Sequence, residues 1–226
     1  MGKKVSIMIP VRGRVDKFEK CVGSFASTGS WKHKTEFIVK VDTDESTVPY
    51  CDILSKYGYD FKILQYSRLR GYNDLYVFWN DMARLSQGES LWMMNDDVTI
   101  REGDWMAVIS KTAKSTKGRF IGMCREVKKT EYVEAERGRT GYPIIGRAVY
   151  EQMGCLCQSA ICCDRMLRDI ASATGCTVKL PIIIVHDTTG RQKGGMANDL
   201  VPPPPGLHTE QSKWVTSVID KIGRKQ

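Results

Sequence analysis

The stretch LWMMNDDVTI, residues 91–100, runs from apolar residues into Asn95, Asp96 and Asp97 and then turns apolar again. Two adjacent carboxylates at the end of a buried strand repel each other. A divalent cation offsets that repulsion well, because Mg2+ and Mn2+ prefer hard oxygen ligands and commonly take one or two carboxylates together with substrate phosphates. The alternative is that one acid caps the next turn while the other faces water. Other polar residues stand at comparable points. Arg12 and Arg14 follow the apolar run VSIMIPV, where guanidinium groups can meet phosphate. Asp42 and Asp44 follow FIVKV, where a carboxylate can accept hydrogen bonds from a base N–H or a ribose hydroxyl. His186 ends the run IIIVHD; a neutral imidazole is a common metal ligand, and Asp187 beside it can orient the ring.

These residues need a scaffold that brings distant run ends together. Five segments read as strands: VSIMIPV (5–11), EFIVKVD (36–42), FKILQY (61–66), SLWMMN (90–95) and RFIGMC (119–124). The first four are apolar in succession rather than in alternation, which suits parallel strands buried on both faces. Helical stripes lie between them: Phe18, Cys21/Val22 and Phe25; Leu75, Phe78, Met82 and Leu85; Trp105, Val108/Ile109 and Thr112. Strand and helix in alternation give an α/β sandwich with right-handed crossovers. In such sheets the loops leaving the C-terminal strand ends line the binding crevice, and PVRGR, DTDES and NDDV occupy those positions.

Past residue 125 the pattern changes. REVKKTEYVEAERGRTGYP reads as an extended loop, IIGRAVYEQMG as a short strand entering a helix, CDRMLRDIASATG as a helix stopped by Gly175, and VKLPIIIVHD as a strand. The segment GRQKGGMANDLVPPPPGLHTEQ is rich in Gly and Pro, and a last helix over 209–222 carries Trp214, Val218 and Ile222. With 226 residues, one domain is expected. No apolar run approaches the roughly 18–20 residues that span a bilayer, so the expected setting is cytoplasmic, with peripheral membrane attachment through basic residues left open. Lys and Arg exceed Asp and Glu by 34 to 26, a net charge of +8 that suits an anionic partner. The cysteines of CLCQSAICC are spaced unlike a structural zinc site and read as reduced core residues.

In this order, VSIMIPVRGR, FIVKVDTDES, RGYNDLYVFWNDMARLSQGE, LWMMNDDV with GDWM, GYPIIGRAVYEQMG, CDRMLRDIA and IIIVHD resemble the GT-A-type nucleotide-sugar glycosyltransferases, family 2 and its relatives, over roughly residues 4–190. The resemblance implies a GT-A-like (Rossmann-like) three-layer sandwich with a mostly parallel central sheet. It implies a catalytic domain over 1–195, with a nucleotide-binding half to about 100 and an acceptor half after it, and residues 196–226 packed on that domain. It places Pro10, Val11, Arg12 and Arg14 around the nucleotide and Asp42 and Asp44 at its base and ribose. Gly71 and Asn73, on a helix starting near Tyr72, border the diphosphate. Asn95 and Asp96 complete the nucleotide contacts, and Asp96, Asp97 and His186 hold Mn2+ or Mg2+. The family's metal motif commonly has two acids separated by one residue, whereas Asn stands first here. Asp164 matches the general base that takes the acceptor proton, with Cys163 where many relatives carry an acid and Glu151 as a substitute.

The activity so implied is metal-dependent, inverting transfer of a sugar from a nucleoside diphosphate sugar, with UDP-sugars favoured, to an acceptor hydroxyl on a glycan, a lipid-linked saccharide or a modified nucleic-acid base. Tyr132, Tyr142, Tyr150 and Trp105 are candidates to stack on that acceptor, the basic segment 111–147 to follow an anionic polymer, and TTGRQKGG to close as a lid. The alternatives are a non-catalytic nucleotide or nucleic-acid binding protein on the same fold, and a nucleotidyltransferase, although PVRGRVDKF lacks the repeated glycines of the latter.

Overall fold

The computed structural model describes residues 2–28, 32–67, 74–129, 134–137, 142–158, 163–189 and 207–223. The four apolar runs form parallel strands β1 (Val5–Pro10), β2 (Thr35–Asp42), β3 (Asp60–Tyr66) and β4 (Ser90–Met93), side by side in the order β3-β2-β1-β4. β1, β2 and β4 are buried along almost their whole length, as their largely apolar sequences require; β3 lies at the edge and is only partly covered. The connections are α1 (Val15–Thr28), α2 (Val48–Tyr57) and α3 (Leu75–Leu85). α2 carries Pro49 in its first turn and stops at Gly58, whose φ of 71° turns the chain so that Gly58 and Tyr59 donate back to Ser55 and Leu54.

The second half consists of β5 (Val98–Glu102), α4 (Trp105–Ser115), β6 (Ile121–Lys129), β7 (Glu134–Arg137), β8 (Ile144–Gly146), α5 (Arg147–Met153), α6 (Cys163–Ala173), β9 (Thr177–Asp187) and α7 (Leu207–Gly223). The sheet continues β4-β8-β6-β9-β5, with β7 antiparallel to β6. β8 runs against β4 and β6, β9 runs with β6, and β5 returns along β9. Six of the nine described strands therefore share one direction. A register shift between Met123 and Arg125 bends the β6–β9 pair, and Pro181, which has no N–H to donate, falls inside that shift. The sheet curls until β5 meets α1, where Ile100 N donates to Ser24 Oγ at 3.0 Å.

Alternate strand residues feed two cores, one on each face. Phe37, Val39 and Val41 point to the core beneath α1, α2 and α4, whereas Ile38 points to the one beneath α3, α5, α6 and α7. In the first core, Phe25 sets its ring edge-on to Phe37, Trp92 and Trp105 at 5.5, 5.4 and 5.3 Å between centroids. The second takes in Trp214, Val218 and Ile222 of α7, the expected stripe. Two layers of helices with the sheet between them make a three-layer α/β sandwich.

Four expectations change. β4 ends at Met93 rather than Asn95: Met94 N makes the last bond of the β1–β4 ladder, to the carbonyl of Met8, and the chain turns at Asp96 and Asp97. The chain after 125 is not one loop: β6 continues to Lys129 because β9 supplies a hydrogen-bonding edge along its whole length, and β7 follows. β5, too short to stand out in sequence, is held by β9. Leu85 is 44% exposed, and the buried stripe of α3 is Phe78, Trp79, Met82 and Ala83. The described cysteines are unbridged, and Cys157 and Cys163 pack in the second core. Among the described residues no helix is long and apolar enough to cross a membrane.

Candidate active site

The strand order reverses at β1, where the chain passes from β3 across to β4, and such a switch point opens a crevice at the C-terminal strand ends. The loop after β1 lies there. Val11 is tied to β2 through Val11 N to Lys40 O at 2.9 Å, beside Pro10, the last residue of β1. Gly13 then adopts a φ of 62°, a conformation a side chain disfavours, and the arginines on either side of it bond to different strand ends.

Arg12 reaches the end of β2. It donates through Nη1 to Asp42 Oδ2 and through Nη2 to Asp44 Oδ2 at 3.3 Å. Asp42 is only 2% exposed, and its other oxygen accepts from Lys40 Nζ, which also lies 4.3 Å from the centre of the Phe78 ring. Residues two apart on a strand share a face, so the charged residue inside FIVKVD was the signal for Lys40, which sequence reasoning passed over. Asp44 is exposed.

Arg14 reaches the end of β4. Its Nε donates to Asp96 Oδ2 at 3.0 Å, its Nη2 to Asp96 Oδ1, and its Nη1 to Asp97 Oδ2 at 3.0 Å. One planar guanidinium thus spans both carboxylates. Burial pushes the Asp96 carboxyl up to about 7; Arg14 pulls it down, and Asp97 pushes it further up. Burial acts to lower Arg14, but Asp96 and then Asp97 outweigh it and hold the guanidinium above its ordinary value. Asn95, half-buried between β4 and this pair, offers its carbonyl to Cys21 Sγ at 3.7 Å.

His186 arrives from the far side of the curled sheet. Val98, the residue after Asp97, stands opposite His186 in the antiparallel β5–β9 pair, and Asp187 N donates to Asp97 O at 2.8 Å. His186 Nε2 thereby lies 3.7 Å from Asp97 Oδ1. The ring's Nδ1 is 3.1 Å from Glu126 Oε1, and Tyr142 stands edge-on to it at 5.6 Å and 88°. Asp187 does not take the orienting place expected of it, because its carboxylate bonds forward to Thr189 N at 2.9 Å and Thr189 Oγ1 at 2.5 Å. Burial favours the neutral form of Asp187, but Thr189, Lys17 and Lys129 hold its carboxyl below the ordinary value. Glu126, buried on β6, was not legible in advance because only the β6–β9 pairing brings it to the histidine.

The remaining expectations divide. Asp164 lies in the first turn of α6, with its side chain 40% exposed and its nearest charge Arg168 at 4.0 Å within the same helix. Glu151 is exposed on α5. Gly71, Tyr72, Asn73 and Tyr132 lie outside the described residues, as does the TTGRQKGG stretch beyond Thr189. Trp105 is buried in the first core and cannot stack on an acceptor. Tyr150 is half-buried with Arg147 set 5.5 Å over its ring.

Among the described residues no group of three His, Cys, Asp or Glu side chains is arranged to hold a metal ion, and at Asp96, Asp97 and His186 three of the four carboxylate oxygens accept from Arg14. The carboxylates are hard oxygen donors, and the His186 ring lies between Glu126 Oε1, 3.1 Å from Nδ1, and Asp97 Oδ1, 3.7 Å from Nε2. Arg14 already brings positive charge to the carboxylates, so a cation there shares them with a guanidinium.

No protein-family model matches this sequence, and no curated protein does either. Solved structures do. S. aureus TarS 1–349 in complex with UDP superposes with a TM-score of 0.63 at 12% identity, over 97% of this chain and 65% of that one. The complex of the same protein with UDP-GlcNAc gives 0.62 at 13% identity, over 95% and 66%. A longer S. aureus TarS structure gives 0.56 at 11%, over 82% and 35%. This chain therefore spans just under two thirds of the TarS 1–349 chains it matches. TarS is a GT-A-type glycosyltransferase, and a curled, mostly parallel sheet between two helical layers gives the present chain that same GT-A-type fold.

Proposed function

We propose that this chain transfers a sugar from a UDP-sugar to an acceptor hydroxyl with inversion, assisted by Mn2+ or Mg2+. The observation that carries the reading is the meeting of Arg14, Asp96, Asp97 and His186 at the switch point between β1 and β4. TarS, of the same fold, has been solved with UDP and with UDP-GlcNAc.

Uridine is favoured by the end of β2. Arg12, Asp42 and Lys40 offer donor, acceptor and donor in sequence. A uracil edge reads acceptor, donor, acceptor; cytosine lacks the central donor, so Asp42 discriminates against it. In this reading Pro10 and Val11 would form the floor under the nucleotide, and Asp44, Asn95 and Asp96 would serve the ribose. Gly71 and Asn73 belong to the diphosphate side in this reading.

Bound at Asp96, Asp97 and His186, the cation would supply Lewis-acid stabilisation of the departing diphosphate. Arg14, released from part of its hold on the carboxylates, adds a guanidinium that suits phosphate oxygens. On the acceptor side, Asp164 accepts the hydroxyl proton as that oxygen attacks the anomeric carbon. Attack from the face opposite the diphosphate inverts the centre. The medium around such a site is the cytoplasm or the inner face of a membrane, where nucleotide sugars and basic protein surfaces meet.

The test is UDP release from individual UDP-sugars with Mn2+, first alone and then with candidate acceptors. Slow hydrolysis is expected without acceptor, with loss in Asp97→Ala. Asp164→Asn should bind UDP like the parent and fail to transfer. Undiminished transfer by that variant removes Asp164 as base, and a chain that neither binds nor cleaves any nucleoside diphosphate sugar removes the whole reading.

A further inference from the structure

We infer that Glu126 is a positioning residue that fixes which ring nitrogen of His186 faces Asp97. The inference rests on the cation-assisted reading of the site and goes beyond it in naming a residue that neither touches substrate nor holds the ion. The geometry is specific. Glu126 is buried on β6, and its Oε1 lies 3.1 Å from Nδ1 of His186. The opposite nitrogen, Nε2, is 3.7 Å from Asp97 Oδ1. The edge-on Tyr142 ring limits rotation of the imidazole, and the β5–β9 register of Val98 with His186 fixes its backbone.

A carboxylate accepts and cannot donate, so Glu126 selects the tautomer with hydrogen on Nδ1. The lone pair of Nε2 then points at Asp97, the orientation a cation-binding imidazole requires. In the other tautomer two acceptors, Nδ1 and the Glu126 carboxylate, would face each other at 3.1 Å, and a ligating lone pair would be lost from the Asp97 side. Glu126 pairs with Ile184 in the β6–β9 register, two positions before His186, and so projects from the sheet on the same face as the histidine. Lys128, two residues after Glu126, is the residue that the register sets opposite His186.

The variant is Glu126→Gln, which keeps the volume but can donate as well as accept. Nitrogen-15 NMR of the full chain at mildly alkaline pH, with His186→Asn identifying the signal, reads the tautomer. Mn2+ titration without nucleotide reads the affinity, and circular dichroism confirms the fold. The parent should show hydrogen on Nδ1 of His186. Glu126→Gln should show a mixture or the reverse, and should bind Mn2+ about 10–100-fold more weakly. Hydrogen on Nε2 in the parent, a ring carrying hydrogen on both nitrogens there, or measurable Mn2+ binding of equal affinity in parent and variant overturns the inference. If the parent takes up no Mn2+ while the ring still changes tautomer in the variant, the positioning role stands and the metal part of the proposed function fails. The tautomer readout separates this role from a structural one, because loss of packing alone does not exchange the two ring nitrogens.

Discussion

Arg14 holds two buried carboxylates with one side chain, so removing it leaves both without their shared counter-charge. Breaking a buried ion pair costs about 3–5 kcal/mol, and Arg14 is 30% exposed, so Arg14→Met should lower unfolding free energy by about 2–3 kcal/mol in urea titrations. Mn2+ should recover more stability in this variant than in the parent. A second effect follows from Asp96, whose carboxyl stands at about 7 in the folded chain against an ordinary 3.8. Between those values the folded chain holds a proton that the unfolded chain has released. Stability therefore falls as pH rises from about 4 to about 7 and is level in this contribution above that window. Denaturant midpoints across the window should show that decline in the parent and a flatter line in Asp96→Asn. A decline of equal size in both proteins would assign it to other groups.

At the scale of elements, the arginine loop is placed by α1, and α1 is anchored by Phe25 against Phe37, Trp92 and Trp105. Phe25→Ala should cost about 3–5 kcal/mol by thermal or chemical unfolding and should weaken nucleotide binding through the displaced loop. Much of this scaffold was legible in sequence. VSIMIPV, EFIVKVD and SLWMMN are runs that a doubly covered strand accommodates, FKILQY forms the partly covered edge strand β3, and PVRGR and NDDV fall at strand ends where a crevice opens. The charge-bearing residues of those ends were legible for the same reason. What was hidden depends on pairing between distant strands. β5 is five residues whose strand state comes from β9, and the polar end of β6 is a strand because β9 and β7 satisfy its backbone. Glu126 was hidden with it, since no local spacing ties a glutamate to a histidine sixty residues away. Asp187 shows the converse: adjacency to His186 suggested an orienting partner, but successive strand residues point to opposite faces and its carboxylate closes a local turn with Thr189.

At the scale of the molecule, a sheet that curls far enough to bring the end of β9 back to the end of β4 turns three separate strand ends into one crevice. The net charge of +8 adds an attraction for a polyanionic nucleotide that salt should weaken. The central claim is that this crevice binds a uridine diphosphate donor between Asp42 at one end and Asp97 at the other. Isothermal titration of UDP with Mn2+ into the parent, Asp42→Ala and Asp97→Ala tests it most directly. The account predicts saturable binding to the parent, a loss of tenfold or more in each variant, about 1.4 kcal/mol for each factor of ten, and weaker binding of CDP than of UDP to the parent. UDP binding of equal strength in all three proteins, or none to the parent, would contradict it.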